Sequence, residues 1–106
     1  MAYDEKLARR VRILIGGKRG FVEKKMFGGV AFMLKGRMCC GVLNDDLVAR
    51  IGAGRAAKAL TKPHVRPMDF TGRVIKGYVY VGPAAVRDKR GLQRWVDSCL
   101  AYIATL

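Results

Sequence analysis

Hydrophobic residues recur at helical spacing near both ends of the chain. An apolar stripe near the amino terminus predicts a helix over residues 4–15, with Asp4 as its N-cap. A wider stripe predicts a closing helix over residues 88–105, which must pack against a sheet. The first stripe consists of Leu7, Val11, Leu14 and Ile15, and the second of Leu92, Trp95, Val96, Cys99, Leu100 and Ile103.

Between these helices, short apolar runs alternate with glycine and turn residues, a pattern typical of strands. Val30, Phe32 and Leu34 occupy every second position of one run, and Lys35-Gly36 then predicts a hairpin turn. Short breaks between four consecutive strands indicate an antiparallel meander. The predicted strands cover residues 21–27, 30–34, 37–43, 47–51, 68–70 and 73–81.

Glycine and proline add local predictions. We expect Gly28 or Gly29 to have a positive φ, because the chain must bend between two apolar runs. Gly77 within the last strand indicates a bulge or a close backbone approach. A short alanine-rich helix is predicted over residues 55–60, and two prolines keep residues 62–67 extended.

This order of elements predicts a two-layer α+β domain. A helix, four strands, a second helix, one or two strands and a third helix give one antiparallel sheet of about five to six strands, with the helices on one face. The other face of the sheet would remain open. A second copy of the chain could dock there.

Size and hydropathy indicate one domain over residues 1–106. The chain has 106 residues, of which 51% are hydrophobic, so it can bury one core. No apolar run reaches the length of a membrane span, and the early acidic residues do not fit a secretory signal peptide. We therefore expect a cytoplasmic protein that has no membrane partner.

The three cysteines do not have the pattern of a disulfide framework. Cys39 and Cys40 are neighbours, and in a regular strand their side chains would point to opposite faces. A bond between neighbours would be strained. We expect both to be small, reduced residues of the core.

Positive charge is the strongest bias in the composition. Lys and Arg number 21 against 8 Asp and Glu, which gives a formal net charge of +13. Such charge favours nucleic acid, an anionic membrane surface or an acidic protein as a partner, while a solvated surface without a partner is the alternative. Lys89, Arg90 and Arg94 lie early in the closing helix, where cations oppose the helix dipole. Because cations at these positions reduce the stability of the helix, their presence favours another role for the positive charge.

No catalytic constellation stands out in the sequence. His64 is the only histidine and lies in a proline-bounded loop, without the partners that a metal site needs. Asp45 and Asp46 are typical of a turn, and Ser98 has no histidine beside it. We therefore expect a non-enzymatic protein without a metal or cofactor.

Two further features have structural interpretations. If Asp69 is partly buried, its carboxylate needs donors, which the following turn or Arg50 would supply. Tyr78 and Tyr80 share one face of the last strand, and we expect Phe32 near them. Aromatic residues beside cations bind single-stranded nucleic acid, but they also build ordinary cores, which is the interpretation we favour.

A series of short motifs extends over nearly the whole chain. They include Met26-Phe27-Gly28-Gly29, Met38-Cys39-Cys40-Gly41 and residues 32–33, 36, 47, 50, 63–72, 77–81 and 95. Together these motifs resemble the TfoX (Sxy) N-terminal domain family, which occurs in bacterial regulators of competence for DNA uptake. The resemblance implies a stand-alone member with a compact, secretion-chaperone-like α+β fold. It implies structural roles for Met26, Phe27, Gly28, Gly29, Arg50, Met68, Asp69, Phe70, Gly72 and Trp95.

For function, the resemblance implies a regulatory module that acts through protein contacts, with a homodimer and an unidentified regulatory protein as the expected partners. The first alternative is weak, sequence-independent binding to DNA or RNA through a basic surface. A small enzyme is the second alternative. The cations expected to contact phosphates are Lys6, Arg9, Arg12, Lys18, Arg19, Lys89, Arg90 and Arg94.

Overall fold

A six-stranded antiparallel sheet with helices on one face forms the fold, in a computed structural model that describes residues 3–26, 28–70 and 72–106. The predicted α+β class is therefore confirmed. A 3-10 turn at Pro83–Ala85 precedes the last helix. The other elements are α1 (Glu5–Ile15), β1 (Phe21–Met26), β2 (Gly29–Leu34), β3 (Arg37–Leu43), β4 (Asp46–Arg50), α2 (Ala53–Ala59), β5 (Val65–Phe70), β6 (Arg73–Val81) and α3 (Lys89–Ile103).

The strands lie in the order β1-β2-β3-β4-β6-β5. The first four form the predicted meander, and β6 then pairs with β4, which leaves β1 and β5 at the edges. Strand β5 begins at Val65, earlier than the predicted start at Met68. Pro67 is tolerated within β5 because an edge strand does not need every backbone N–H for pairing.

Positive φ angles mark the turns that the sequence predicted. Lys35 and Gly36 have φ of 53° and 81°, as a two-residue hairpin turn requires. Gly28 has φ of 80°, which confirms the predicted bend before β2. Gly77 has φ of 85°, and the pairing of β5 with β6 shifts register near it, so the predicted bulge is also confirmed.

Both long helices begin at an aspartate cap. The Asp4 carboxylate accepts hydrogen bonds from the N–H groups of Lys6 and Leu7 at 2.9 and 3.2 Å. Asp88 accepts from the N–H of Gly91 at 3.0 Å. Helices α1 and α3 pack on β3, and α2 packs on β6. The core therefore lies between the helices and one face of the sheet.

Phe32 lies in this core layer. It is fully buried, and its ring stacks on that of Phe21 with centroids 6.0 Å apart. Tyr78 and Tyr80 share one face of β6 as predicted, but Val79 between them points into the core. The expected proximity of Phe32 to the tyrosines is therefore wrong, because alternation along the strands places them on opposite faces.

A bulge in β3 changes the predicted arrangement of the cysteines. Cys40 pairs with Phe32 and Met38 pairs with Met33, so Cys39 is an extra residue between two ladder pairs. Both Cys39 and Cys40 are fully buried in the core beneath the helices. The prediction that they point to opposite faces is wrong, because the extra residue interrupts the pleat.

Candidate functional site

The face of the sheet opposite the helices carries an apolar groove of about 210 Å³. Its floor includes the small residues Gly29, Ala31 and Gly41 on the central strands. Longer apolar side chains surround this floor. We call this surface the methionine groove, and it is lined by Met26, Gly29, Val30, Ala31, Met38, Gly41, Val42, Leu43, Val48, Met68, Ile75 and Tyr78.

Methionines from three strands line the groove. Met26 ends β1, Met38 lies in β3 and Met68 lies in β5. Because methionine is unbranched and polarisable, its side chain adapts to partners of different shape. Met26 is 38% exposed and Ile75 is 36% exposed. Met26 and Ile75 are therefore the most exposed of the large apolar side chains that line the groove.

The floor of the groove requires glycine at two positions. A Cβ at Gly29 would lie 2.5 Å from the carbonyl oxygen of Val42, and one at Gly41 would lie 2.6 Å from that of Val30. In both cases the obstacle is backbone, which cannot move aside as a flexible side chain can. The close spacing of β2 and β3 therefore depends on these glycines, and their lack of side chains leaves room above the sheet.

An ion pair lies on the same open face. Arg66 Nη2 donates to Asp46 Oδ2 at 2.7 Å, and the guanidinium lies 5.2 Å from the centre of the Tyr80 ring. The hydrogen bond with Asp46 raises the pKa of Arg66. Burial raises the pKa of Tyr80. At neutral pH, Arg66 is therefore charged and Tyr80 is neutral.

Arg50 connects the two faces of the sheet. Its guanidinium lies 5.7 Å from the ring centre of Tyr78 on the open face and 5.5 Å from that of Tyr102 on α3. Its Nη1 also donates to the carbonyl oxygen of Met38 at 3.3 Å.

Asp69 is exposed, so its carboxylate does not need the donors that the sequence analysis suggested for a partly buried acid. Arg50, one of those suggested donors, instead contacts Met38, Tyr78 and Tyr102.

A second groove, of about 400 Å³, combines cations with an apolar floor. Lys18 and Arg19 come from the loop after α1, and Lys35 and Arg37 come from the β2–β3 hairpin. No acidic side chain is among its described lining residues. We call it the basic groove, and its other lining residues are Leu34, Leu100, Ile103, Ala104 and Leu106.

The cations predicted to contact phosphates occupy several parts of the surface. Lys18 and Arg19 lie together in the basic groove, where the hairpin adds two cations that the sequence interpretation missed. Arg12 donates to Glu23 at 2.7 and 2.9 Å. Arg94 lines a different groove, with Lys62 and Trp95. The remaining predicted cations, Lys6, Arg9, Lys89 and Arg90, are exposed on α1 and α3.

The comparison with protein families identifies the chain. The family described as TfoX N-terminal domain matches residues 16–103. The chain belongs to this family. No curated protein and no solved structure matched the chain. The TfoX N-terminal domain assignment confirms the resemblance seen in the sequence motifs.

Several motif residues of this TfoX N-terminal domain converge on the methionine groove. Met26, Gly29 and Met68 line it, whereas Trp95 lies beneath Lys62, whose Nζ is 5.6 Å from the ring centre. Gly72 has φ of 77° in the turn before β6. Phe27 and the side chain of Phe70 lie outside the described part of the chain.

Metal-binding and membrane-spanning features are absent from the described residues. Within residues 3–26, 28–70 and 72–106, no three His, Cys, Asp or Glu side chains are placed to hold a metal ion. Over the same residues, no helix combines the length and apolar character needed to cross a bilayer.

Proposed function

We propose that this TfoX N-terminal domain is a non-enzymatic regulatory module that binds an acidic, amphipathic segment of a partner protein in the methionine groove. The observation that supports this most is the groove itself, with adaptable methionines from three strands around a floor of small residues. Membership of the TfoX family supports a regulatory role of the kind found in competence regulators.

The shape of the groove favours an apolar segment as its occupant. An amphipathic helix presents apolar side chains at helical spacing, and such helices bind in hydrophobic grooves as a recurring mode of recognition. The glycine floor leaves space for these side chains between Met26 on one side and Met68 on the other. The affinity then comes mainly from apolar surface removed from water.

The charge of the chain favours an acidic partner over a second copy. With a net charge of +13, two copies face to face would bring like charges together. Lys24 is exposed and shares a face of β1 with Met26, and cations outnumber acidic residues over the whole chain. An acidic segment would complement these cations and associate faster.

Fluorescence anisotropy with a defined peptide tests this proposal. The probe is a labelled amphipathic helix with leucine at helical spacing and glutamate elsewhere, and a scrambled peptide of the same composition is its control. We expect saturable binding of the amphipathic probe only. The Met26→Glu/Ile75→Glu variant should bind at least about tenfold more weakly, because each substitution removes an apolar anchor.

The matched control is Ile13→Glu combined with Leu60→Glu, since both residues are exposed, lie in or at the end of a helix and do not line the groove. This variant carries the same change in charge, so it should bind the probe like wild type. Equal binding by both variants, or equal binding of the scrambled peptide, would overturn the groove as the site.

Light scattering tests the predicted homodimer. If wild type is a dimer and the Met26→Glu/Ile75→Glu variant is a monomer, the occupant of the groove is a second copy of the chain instead.

Weak binding to nucleic acid is a second candidate function, which the basic groove favours. Four cations there surround an apolar floor, and no described acidic residue lines it. Such a surface would contact phosphates without reading bases. The expected behaviour is sequence-independent binding that weakens steeply with salt as counterions are released.

A further inference from the structure

The basic groove is formed where two loops of the chain dock on each other. The N–H of Lys35, in the β2–β3 hairpin, donates to the carbonyl oxygen of Gly20, in the α1–β1 loop, at 3.1 Å. Gly20 has φ of 82°, and an added Cβ would lie 2.9 Å from the backbone nitrogen of Lys35. Glycine is therefore needed for so close an approach at this position. The docking places the cations of the two loops, Lys18, Arg19, Lys35 and Arg37, along one groove.

These four cations lack acidic partners. All four residues are exposed, and no ion pair within residues 3–26, 28–70 and 72–106 includes one of them. Arg37 instead donates from Nη1 to the main-chain oxygen of Leu106 at 3.2 Å. Because like charges repel one another, a bound anion would lower the electrostatic free energy of this arrangement. The groove therefore favours an anionic ligand.

The floor of the basic groove is aliphatic. Leu34 is buried there, Leu100 and Ile103 are half-buried, and Leu106 is 46% exposed. None of the described lining residues is aromatic, so the groove offers no ring on which a nucleic acid base could stack. A ligand that consists only of a phosphate or a carboxylate would leave this apolar floor in contact with water. An alkyl chain would cover the floor, and its affinity would rise with each methylene group removed from water.

Leu106 combines both kinds of contact in one residue. Its main-chain oxygen accepts a hydrogen bond from Arg37, and its side chain lines the same groove. A ligand with an anionic head and an alkyl tail would make the same two kinds of contact over a larger area. The volume of the groove, about 400 Å³, is within the range of about 300–1,000 Å³ that is usual for small-molecule sites.

We propose that the basic groove is a binding site for a single-chain amphiphilic anion, with the chemistry of a free fatty acid. The anionic head lies among Lys18, Arg19 and Arg37, where charge-assisted hydrogen bonds hold it. The alkyl chain lies on the floor, against Leu100 and Ile103 of α3. Because a groove between two loops and a helix accommodates one chain at a time, the ligand is the free molecule rather than a lipid of a bilayer. Among the described residues, the basic groove and the methionine groove share no lining residue, so this site and the proposed peptide site are independent.

Isothermal titration calorimetry with dodecanoate, kept below its micellar concentration, tests the site. The control compounds are acetate, which has the same head without the chain, and dodecyltrimethylammonium, which has an alkyl chain with the opposite charge. We expect saturable binding of dodecanoate that is at least about tenfold tighter than the binding of either control. The Tm should rise with dodecanoate, because the ligand binds the folded chain. The absence of saturable dodecanoate binding, equal binding of a control compound, or a fall in Tm would overturn the proposal.

Two variants with the same change in charge locate the anionic head. Lys18→Gln/Arg19→Gln should bind dodecanoate at least about tenfold more weakly, because it removes two charged donors from the groove. Lys6→Gln/Arg9→Gln, on the exposed side of α1, should bind dodecanoate like wild type. Equal weakening by both variants would mean that net charge alone attracts the anion. Sedimentation with phosphatidylglycerol vesicles completes the test: if Lys18→Gln/Arg19→Gln alone loses vesicle binding and wild type does not bind dodecanoate, the ligand is a membrane lipid and the proposal is wrong.

Two exposed leucines locate the alkyl chain. Leu106 and Leu60 are 46% and 40% exposed, but only Leu106 lines the basic groove. Leu106→Ser should therefore weaken dodecanoate binding, whereas Leu60→Ser should leave it unchanged. Because neither side chain is buried, both variants should remain folded, which circular dichroism checks. Equal dodecanoate affinity of the two variants would refute the placement of the chain in this groove.

Discussion

Arg50 lies with its guanidinium 5.5 Å from the ring centre of Tyr102, at the point where the end of β4 meets the last turns of α3. The edge of the same ring lies against Gly52, where an added Cβ would be 2.7 Å from a ring carbon. The Tyr102 ring therefore packs between the guanidinium of Arg50 and the backbone of Gly52. This packing attaches the carboxyl-terminal part of α3 to the sheet.

Gly52→Ala should destabilise the protein. Gly52 has φ of 88°, which an alanine adopts only with strain, and the new methyl group would collide with the Tyr102 ring. We expect a loss of more than about 1 kcal/mol in the free energy of unfolding. Thermal denaturation followed by circular dichroism measures it.

Gly54→Ala is the matched control for this variant. Gly54 lies within α2, and an added Cβ meets nothing within 4 Å. Alanine should be neutral there or stabilising by about 0.5–1 kcal/mol, because glycine is a poor helix former. An equal loss of stability in both variants would show that the packing of Tyr102 does not decide the result.

The N-cap of α1 allows a second prediction. Asp4→Ala leaves the N–H groups of Lys6 and Leu7 without their side-chain acceptor, and should cost about 1 kcal/mol. Asp4→Asn keeps an acceptor oxygen and should retain most of the stability. Chemical denaturation compares the two variants. An asparagine variant as unstable as the alanine variant would mean that charge, rather than the hydrogen bond, is responsible.

The ion pair of Arg12 with Glu23 predicts a pH dependence. The hydrogen bond from Arg12 lowers the pKa of Glu23. As the pH falls, the unfolded chain takes up the proton first, near the usual glutamate pKa of about 4.3. The stabilisation is therefore complete above that pH and is lost as the pH falls through the lower, folded-state pKa. It should not exceed about 1 kcal/mol, because both side chains are partly exposed.

Glu23→Gln tests this dependence. Its Tm should lie below that of wild type at neutral pH, and the difference should shrink at a pH below the folded-state pKa of Glu23. Adding Arg12→Met should produce little further change, since the partner charge is already absent. A difference between wild type and Glu23→Gln that is the same at both pH values would exclude the linkage.

Local patterns in the sequence are sufficient to predict most of the fold. The meander, both capped helices and the turns at Gly28, Lys35-Gly36 and Gly77 each depend on neighbours in the chain, so spacing reveals them. The predicted β5 is too short. Without the sheet order, Pro67 argues against a strand at its position. Its edge position, which makes proline acceptable, is a property of that order.

The candidate sites cannot be predicted in the same way. Met26, Met38 and Met68 are far apart in sequence and meet only because the sheet order brings their strands together. The bulge at Cys39 shows no signal in the sequence, since the residues around it have the pattern of a regular strand. Lys35 is predicted only as a turn residue, and its place beside Lys18 depends on the approach of two loops.

The basic groove predicts where nucleic acid would bind, if the second candidate function holds. Lys18, Arg19 and Arg37 lie in one groove, whereas Lys6, Arg9 and Arg90 are exposed on the helices. Replacing either set by glutamate changes the net charge equally. We expect Lys18→Glu/Arg19→Glu/Arg37→Glu to weaken binding to a labelled duplex more strongly. The slope of log K against log salt should become shallower by about 0.9 for each phosphate that the variant no longer neutralises.

Fluorescence anisotropy at two salt concentrations measures both effects. Wild type should bind with a Kd of about 10⁻⁴–10⁻⁶ M at physiological salt. Equal weakening by Lys6→Glu/Arg9→Glu/Arg90→Glu would mean that net charge alone is responsible, and no binding at low salt would leave the cations a role in solubility only.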